Sequence, residues 1–382
     1  MLLSLPDHLL REILEFAVPR DKRRRWLWVQ RIMGTCSVFR QIASEQFVPT
    51  IFDDKAIFAD LGGRQQVLDP MGRPLRNFNH SELVANRQAR RFILSFMTYA
   101  WTRQAIQELK LTSFEHDRAC DEGLFQMLVT KGVLPNVKRI DVLLRPCLFQ
   151  YQLNFFEEMS SAHGHQLEHL ALLSDFARRG KPLPDNLLSS LAYLFPNLKT
   201  LRLRAYGDNW LPVRPFYQRF AWRHLEKIKI TGIIICNDLA AATGNLKYLD
   251  IEVAKLSGEN LQAILVANPG LQVLRMRCLG LILHRDDAQI IGEHGKNLQR
   301  IYYFAAALDD DNLMDLVGED SKLCTLDLGL SRVTLAGFRR LFLEKNPQFL
   351  GKGNGYIGLN NCTIIDSLKT AFPDCNWRYT SE

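Results

Sequence analysis

One short pattern recurs through most of the chain and leaves few folds open to it: an apolar residue, two variable ones, an apolar residue, one variable, an apolar residue. It occurs nine times, as IQELKL from Ile106, VKRIDV from Val137, LEHLAL from Leu167, LKTLRL from Leu198, LEKIKI from Leu225, LKYLDI from Leu246, LQVLRM from Leu271, LQRIYY from Leu298 and LCTLDL from Leu323. Successive starts lie 31, 30, 31, 27, 21, 25, 27 and 25 residues apart, which is the length of one strand followed by one helix. A unit of that size cannot bury its apolar side alone. Neighbours must therefore stack, which predicts an α/β solenoid with a curved parallel sheet inside and helices outside.

The punctuation between the patterns agrees. Pro135-Asn136, Pro196-Asn197 and Asn268-Pro269 stand just before strands, where a helix must end and proline cannot continue it. Helix starts are expected at Ser257, ahead of Leu261, Ile264 and Leu265 on one face, in the Asp309-Asp310-Asp311-Asn312 run, and at Thr334. The acidic run reads as capping and dipole complementarity rather than as a cation site. Residues 206–223, with two prolines and six aromatics, are expected to leave the regular course. The glycine-rich stretch 351–358 is expected to turn into a last apolar strand at Ile357 to Leu359.

These repeats resemble leucine-rich repeats of the long-helix kind, over residues 105–345. The chain departs from that family in lacking the regular Asn or Cys after each strand; Cys278 comes nearest. The resemblance implies a binding surface, with residues 346–382 as a C-terminal cap and 48–104 as linker and N-terminal cap, the latter with a helix expected over 86–101.

Ahead of the repeats, Leu5-Pro6-Asp7-His8-Leu9-Leu10-Arg11-Glu12-Ile13-Leu14 reads as a helix opened by Ser4 as N-cap, with proline in the first turn and an apolar stripe of Leu9, Leu10, Ile13 and Leu14. Further helices are expected over 28–33 and 37–46, the latter with Cys36, Phe39, Ala43 and Phe47 three or four apart. Three short helices in some fifty residues need a partner or the rest of the chain for stability. Residues 1–47 resemble an F-box, matching at Leu5-Pro6, Leu9-Leu10 and Ile13-Leu14 and again at Cys36-Ser-Val-Phe39-Arg40-Gln-Ile42-Ala43. The basic stretch Arg20 to Arg25 lengthens the middle, and Phe39 stands where that family has Trp. The resemblance implies docking on the Skp-type subunit of a cullin-RING ubiquitin ligase, through Leu5, Pro6, Leu9, Leu10 and Ile13 with Cys36, Phe39 and Ile42, while the repeats hold a substrate and other subunits carry the chemistry.

Side chains on a strand alternate, so the variable positions of each repeat should face away from the core. That places Arg202, Arg204, Lys227, Lys229, Tyr248, Arg275, Arg277, Arg300, Tyr302 and Phe304 on the concave face. Closely set basic groups edged by aromatics suit an acidic or phosphorylated protein segment. Asp250 and Glu252 interrupt the patch and are expected to select a partner with one basic residue.

Composition narrows the field further. A net charge of +7 favours acidic partners, nucleic acid or anionic membrane, but no nucleic-acid module is recognisable and no uncharged apolar run of about eighteen residues occurs. Eight scattered cysteines without a C-x-x-C pair suit reduced thiols and a cytoplasmic or nuclear location. His163, His165 and His169 lack an acidic or cysteine ligand at metal-binding spacing. Gly353-Asn-Gly355-Tyr-Ile-Gly358 matches a dinucleotide fingerprint in letters only, because it follows a helix and leads into a strand. No cofactor, metal or catalytic constellation is expected. Three readings remain: a non-catalytic ligase adaptor, an interaction scaffold without ligase association, and nucleic-acid binding through the basic face.

Overall fold

The computed structural model of the chain describes residues 7–20, 28, 51–53, 106–112, 118–130, 134–174, 176, 187–205, 211–212, 222–231, 233–234, 240, 243–252, 257–277, 285–304, 308–318, 321–329, 331–345, 347, 349–359 and 362–379. The helices expected over 28–33, 37–46 and 86–101 lie outside them, Trp28 apart. The chain forms two compact units, residues 1–179 and 180–382. No helix among the described residues is long and apolar enough to cross a membrane.

The first unit holds helix α1 (Asp7–Ala17) and strands β1 (Ile51–Asp53), β2 (Glu108–Leu111), β3 (Arg139–Leu144) and β4 (His169–Ser174), with α2 (Arg118–Thr130) and α3 (Phe149–His163) between the last three strands. All four strands are parallel and lie in chain order. On β3 the burial alternates strictly, Ile140, Val142 and Leu144 inward and Arg139, Asp141 and Leu143 outward. The amide of Gln152, on α3, closes the end of β3: it accepts from the Arg145 N–H at 3.1 Å and donates to the Leu143 carbonyl at 2.7 Å.

The second unit repeats the plan with more turns. Its elements are α4 (Leu187–Leu194), β5 (Thr200–Ala205), β6 (Leu211–Pro212), β7 (Lys227–Thr231), β8 (Ile233–Ile234), β9 (Tyr248–Glu252), α5 (Gly258–Ala267), β10 (Val273–Arg277), α6 (Arg285–His294), β11 (Arg300–Phe304), α7 (Asp310–Leu316), β12 (Thr325–Leu328), α8 (Leu335–Glu344), β13 (Ile357–Leu359), α9 (Cys362–Ala371) and β14 (Trp377–Tyr379). Strands β5, β7, β9, β10, β11, β12, β13 and β14 pair in that order, all parallel. The short pair β6–β8 stands apart and falls partly within the stretch expected to be irregular. The strand-and-helix alternation also carries on past residue 345: in the segment expected to be a cap, the strand expected at Ile357–Leu359 forms as β13, and β14 adds one more strand to the same sheet.

Register is locked by one recurring backbone device. The carbonyl one residue into each pattern accepts two N–H groups from the start of the next strand: Lys199 from Glu226 and Lys227, Glu226 from Lys247 and Tyr248, Lys247 from Gln272 and Val273, Gln272 from Gln299 and Arg300. Each repeat therefore enters the sheet in phase with its predecessor, and its apolar residues, such as Leu246, Leu249 and Ile251, stack into one core with exposures of 0%. Burying each such side chain stabilises by about 1.5–3 kcal/mol.

The helices start as expected. Ser257 accepts from the Asn260 N–H, Asp309 from those of Asp311 and Asn312 in a capping box, and Thr334 from that of Gly337. Asn268, 1% exposed, ends α5 and ties two repeats together: its carbonyl accepts from the Leu246 N–H at 3.0 Å while its amide donates to Thr243 Oγ1 and the Ile264 carbonyl. Helices α6 and α7 approach so closely that a Cβ on Gly292 would sit 2.0 Å from the Asp315 carbonyl oxygen.

Candidate functional site

Helix α1 presents two neighbouring apolar stripes. Leu10 and Leu14 are 1% and 3% exposed, whereas Leu9 and Ile13 are 37% and 41% exposed. The four-residue spacing puts each pair on one line along the helix. Leu10, expected to face a partner, is therefore corrected to an inward position. Of the residues matched to the F-box, Leu5, Pro6, Cys36, Phe39 and Ile42 lie outside the described residues.

The second candidate is the outward side of the second unit's sheet, where three rows of side chains run across the strands. The first row reads Thr200, Lys227, Tyr248, Val273, Arg300; the second Arg202, Lys229, Asp250, Arg275, Tyr302; the third Arg204, Thr231, Glu252, Arg277, Phe304. Every expected concave-face residue falls in one of these rows, exposed or half-buried.

Within the rows, cations lie over the rings of the next strand: Lys227 Nζ 4.3 Å from the Tyr248 centroid, Arg275 5.6 Å from Tyr302 and Arg277 5.2 Å from Phe304. Each such contact orients a cation and holds its charge at the surface. The Phe304 ring in turn covers Gly329, where a Cβ would come within 2.1 Å of it.

The two acids of β9 turn to the chain's own cations. Asp250 is 3% exposed and accepts from Lys229 Nζ at 2.7 Å and from the Tyr248 hydroxyl at 3.4 Å, while Glu252 lies 3.8 Å from Arg277. These carboxylates are thus engaged by the chain's own cations, one from each flanking strand, rather than held out for a basic group on a partner. Burial, and next the Asp250 charge, push the Tyr248 phenol above its ordinary pKa, so it stays a donor.

The rows extend beyond the expected set. The Tyr356 hydroxyl donates to Asp327 Oδ2 at 3.2 Å, and Arg378 lies 4.4 Å over the Tyr356 ring. Burial, with Asp327 beside it, holds the Tyr356 phenol well above the usual range. Asp327 was open to discovery from its equal offset with Asp250; Tyr356 and Arg378 lie in segments that carry no repeat pattern.

Units of 21–31 residues, each opened by a strand and most of them completed by a helix among the described residues, stacked in phase with a variable outward face, define an α/β solenoid of the leucine-rich-repeat type. No family model matches the chain, and no curated protein matches it. Among solved structures it is similar to a chain of the crystal structure of the Rad7 and Elc1 complex in yeast, at 14% identity over 97% of this chain and 94% of that one, with a TM-score of 0.40.

Proposed function

We propose that the chain is a non-catalytic substrate-recognition adaptor of a cullin-RING ubiquitin ligase, docking on a Skp-type subunit through its N-terminal F-box-like segment and holding an acidic or phosphorylated protein on its outward repeat face. The observation that carries this reading is on α1. A helix that already buries Leu10 and Leu14 keeps Leu9 and Ile13 exposed, at positions the F-box resemblance assigns to the adaptor. A partner that covers these two side chains removes their remaining apolar surface from water, a gain of up to about 1.5–3 kcal/mol each. The basic and aromatic rows support the second half, since oriented guanidinium groups bind carboxylate and phosphate oxygens in pairs.

Co-purification of the full chain with a Skp-type adaptor tests this directly. Wild type should capture it stoichiometrically; Leu9→Asp with Ile13→Asp should lose capture while circular dichroism stays unchanged, because neither side chain is in the core. Absence of capture by wild type at micromolar concentrations would end the ligase reading and leave an interaction scaffold.

A further inference from the structure

The acids of β9 divide the outward face of the second unit in two. Asp250 and Glu252 engage Lys229 from β7 and Arg277 from β10, making the centre nearly neutral. On either side of that centre stand cations that form no ion pair among the described residues: Arg202 and Lys227 on one, Arg275 and Arg300 on the other. Within each pair the two groups sit on adjacent strands, two positions apart along the strand, roughly 8 Å between Cα atoms from the strand spacing and rise. That is within reach of two long side chains closing on one anion.

The spacing between the two pairs is fixed by register. Arg202 and Arg275 share the second row and Lys227 and Arg300 the first, each three strand steps apart. At about 4.8 Å a step this is roughly 14 Å, or about four residues of extended chain at some 3.3 Å each. Between them lie the Lys229–Asp250 pair in one row and Tyr248 and Val273 in the other, which offer nothing to a further anion.

We propose that this face binds an extended polypeptide carrying two phosphorylated side chains about four residues apart, one at Arg202 and Lys227 and the other at Arg275 and Arg300, with uncharged residues crossing Tyr248 and Val273. Two cations per position match a phosphate of charge about −1.5 to −2 better than a single carboxylate. The inference rests on the outward face being the substrate site and adds its spacing and chemistry.

The test uses the full chain and fluorescent Gly/Ser peptides with two phosphoserines set one to eight positions apart, read by anisotropy at fixed salt. Affinity should peak at a separation of about four, which keeps both side chains on one side of an extended chain, and exceed that of the singly phosphorylated peptide at least tenfold. Glutamate in place of both phosphoserines should weaken binding at least fivefold. Arg202→Ala with Lys227→Ala should bring the best peptide down to the singly phosphorylated level and flatten the dependence on separation. Tight binding with no dependence on separation overturns the two-position arrangement and keeps the acidic-segment face; equal binding of the glutamate peptide overturns the phosphate assignment alone. No binding of any acidic peptide overturns both the inference and the reading beneath it, as does tighter binding of single-stranded RNA at the same salt.

Discussion

On β3 of the first unit, Arg139 reaches two residues along its own strand and grips Asp141 with two bonds of 3.1 and 3.3 Å; the next outward positions are Leu143 and, in register with it on β4, Leu173. On β7 of the second unit, Lys229 instead reaches across to the neighbouring strand, and the cations beside it remain outward with rings beneath them. Both units have the same inward pattern of Leu, Ile and Val. The difference teaches that the fold is written at the inward positions, while the outward ones are free to be neutralised locally, as in the first unit, or arrayed into a surface, as in the second.

The sharpest way to break that comparison is charge reversal at matched positions. Arg275→Glu with Arg300→Glu should weaken binding of an acidic or phosphorylated peptide at least a hundredfold, about 2.7 kcal/mol, by isothermal calorimetry. Arg139→Glu should leave it within twofold. An equal loss from Arg139→Glu would show that general charge, not the array, attracts the ligand.

Next in size are the buried amides that serve the same purpose in both units. Gln152→Ala and Asn268→Ala each strand backbone groups that the amide satisfies, at about 2 kcal/mol apiece. Urea denaturation followed by circular dichroism should show both midpoints falling. Neither change should move peptide affinity by more than twofold at temperatures where the chain stays folded.

How much of this was legible in the sequence follows from the same division. The inward pattern announces itself because burial on a strand has period two and every repeat restarts at the same phase, so the strands from Glu108 to Leu328 and the caps at Ser257, Asp309 and Thr334 are readable from residue types. The short strands outside the pattern, β1, β6, β8 and β14, are not. Ile51–Asp53 and Trp377–Tyr379 are three residues each and β6 and β8 two each, too short to show a period, whereas the glycine-rich turn and the apolar residues after it mark β13 at Ile357–Leu359. Their pairing is set by neighbours: the Asn376 carbonyl, for instance, accepts from the Ile357 N–H at 2.8 Å. On the site, alternation placed the outward cations, but not which of them would be engaged, because Lys229 and Asp250 meet across 21 residues and only cross-strand register brings them together. On α1, a stripe of four apolar residues did not say which two face inward, since helix rotation is decided by what packs against it.

A smaller effect tests whether the engaged acids restrain the array. Asp250→Asn removes the charge that holds Lys229, so the centre becomes cationic. Affinity for a singly phosphorylated peptide should rise about fivefold, and the preference for two phosphates over one should shrink. Stability should fall by about 1 kcal/mol, because a charge-assisted bond at a mostly buried site becomes a neutral one. The parallel change Asp141→Asn in the first unit should release Arg139 without altering affinity.

The smallest effect lies in alkaline stability and separates the two units by their phenols. Tyr356 and Tyr248, both in the second unit, are held above their ordinary pKa by burial and then by a neighbouring carboxylate. The native chain therefore keeps protons that the unfolded chain releases as pH passes about 10. Stability from these groups is fully present below that pH and is lost as pH rises through the folded values, because the unfolded state binds fewer protons. Tyr356→Phe loses the bond to Asp327, about 1 kcal/mol at neutral pH, but should flatten the decline between pH 9 and 11 by up to one proton's slope. Denaturant midpoints across that range, with phenolate absorbance recorded alongside, measure it. A decline as steep as in wild type would mean that Tyr356 ionises at the same pH folded and unfolded, so that Asp327 takes its hydrogen bond without restraining the proton.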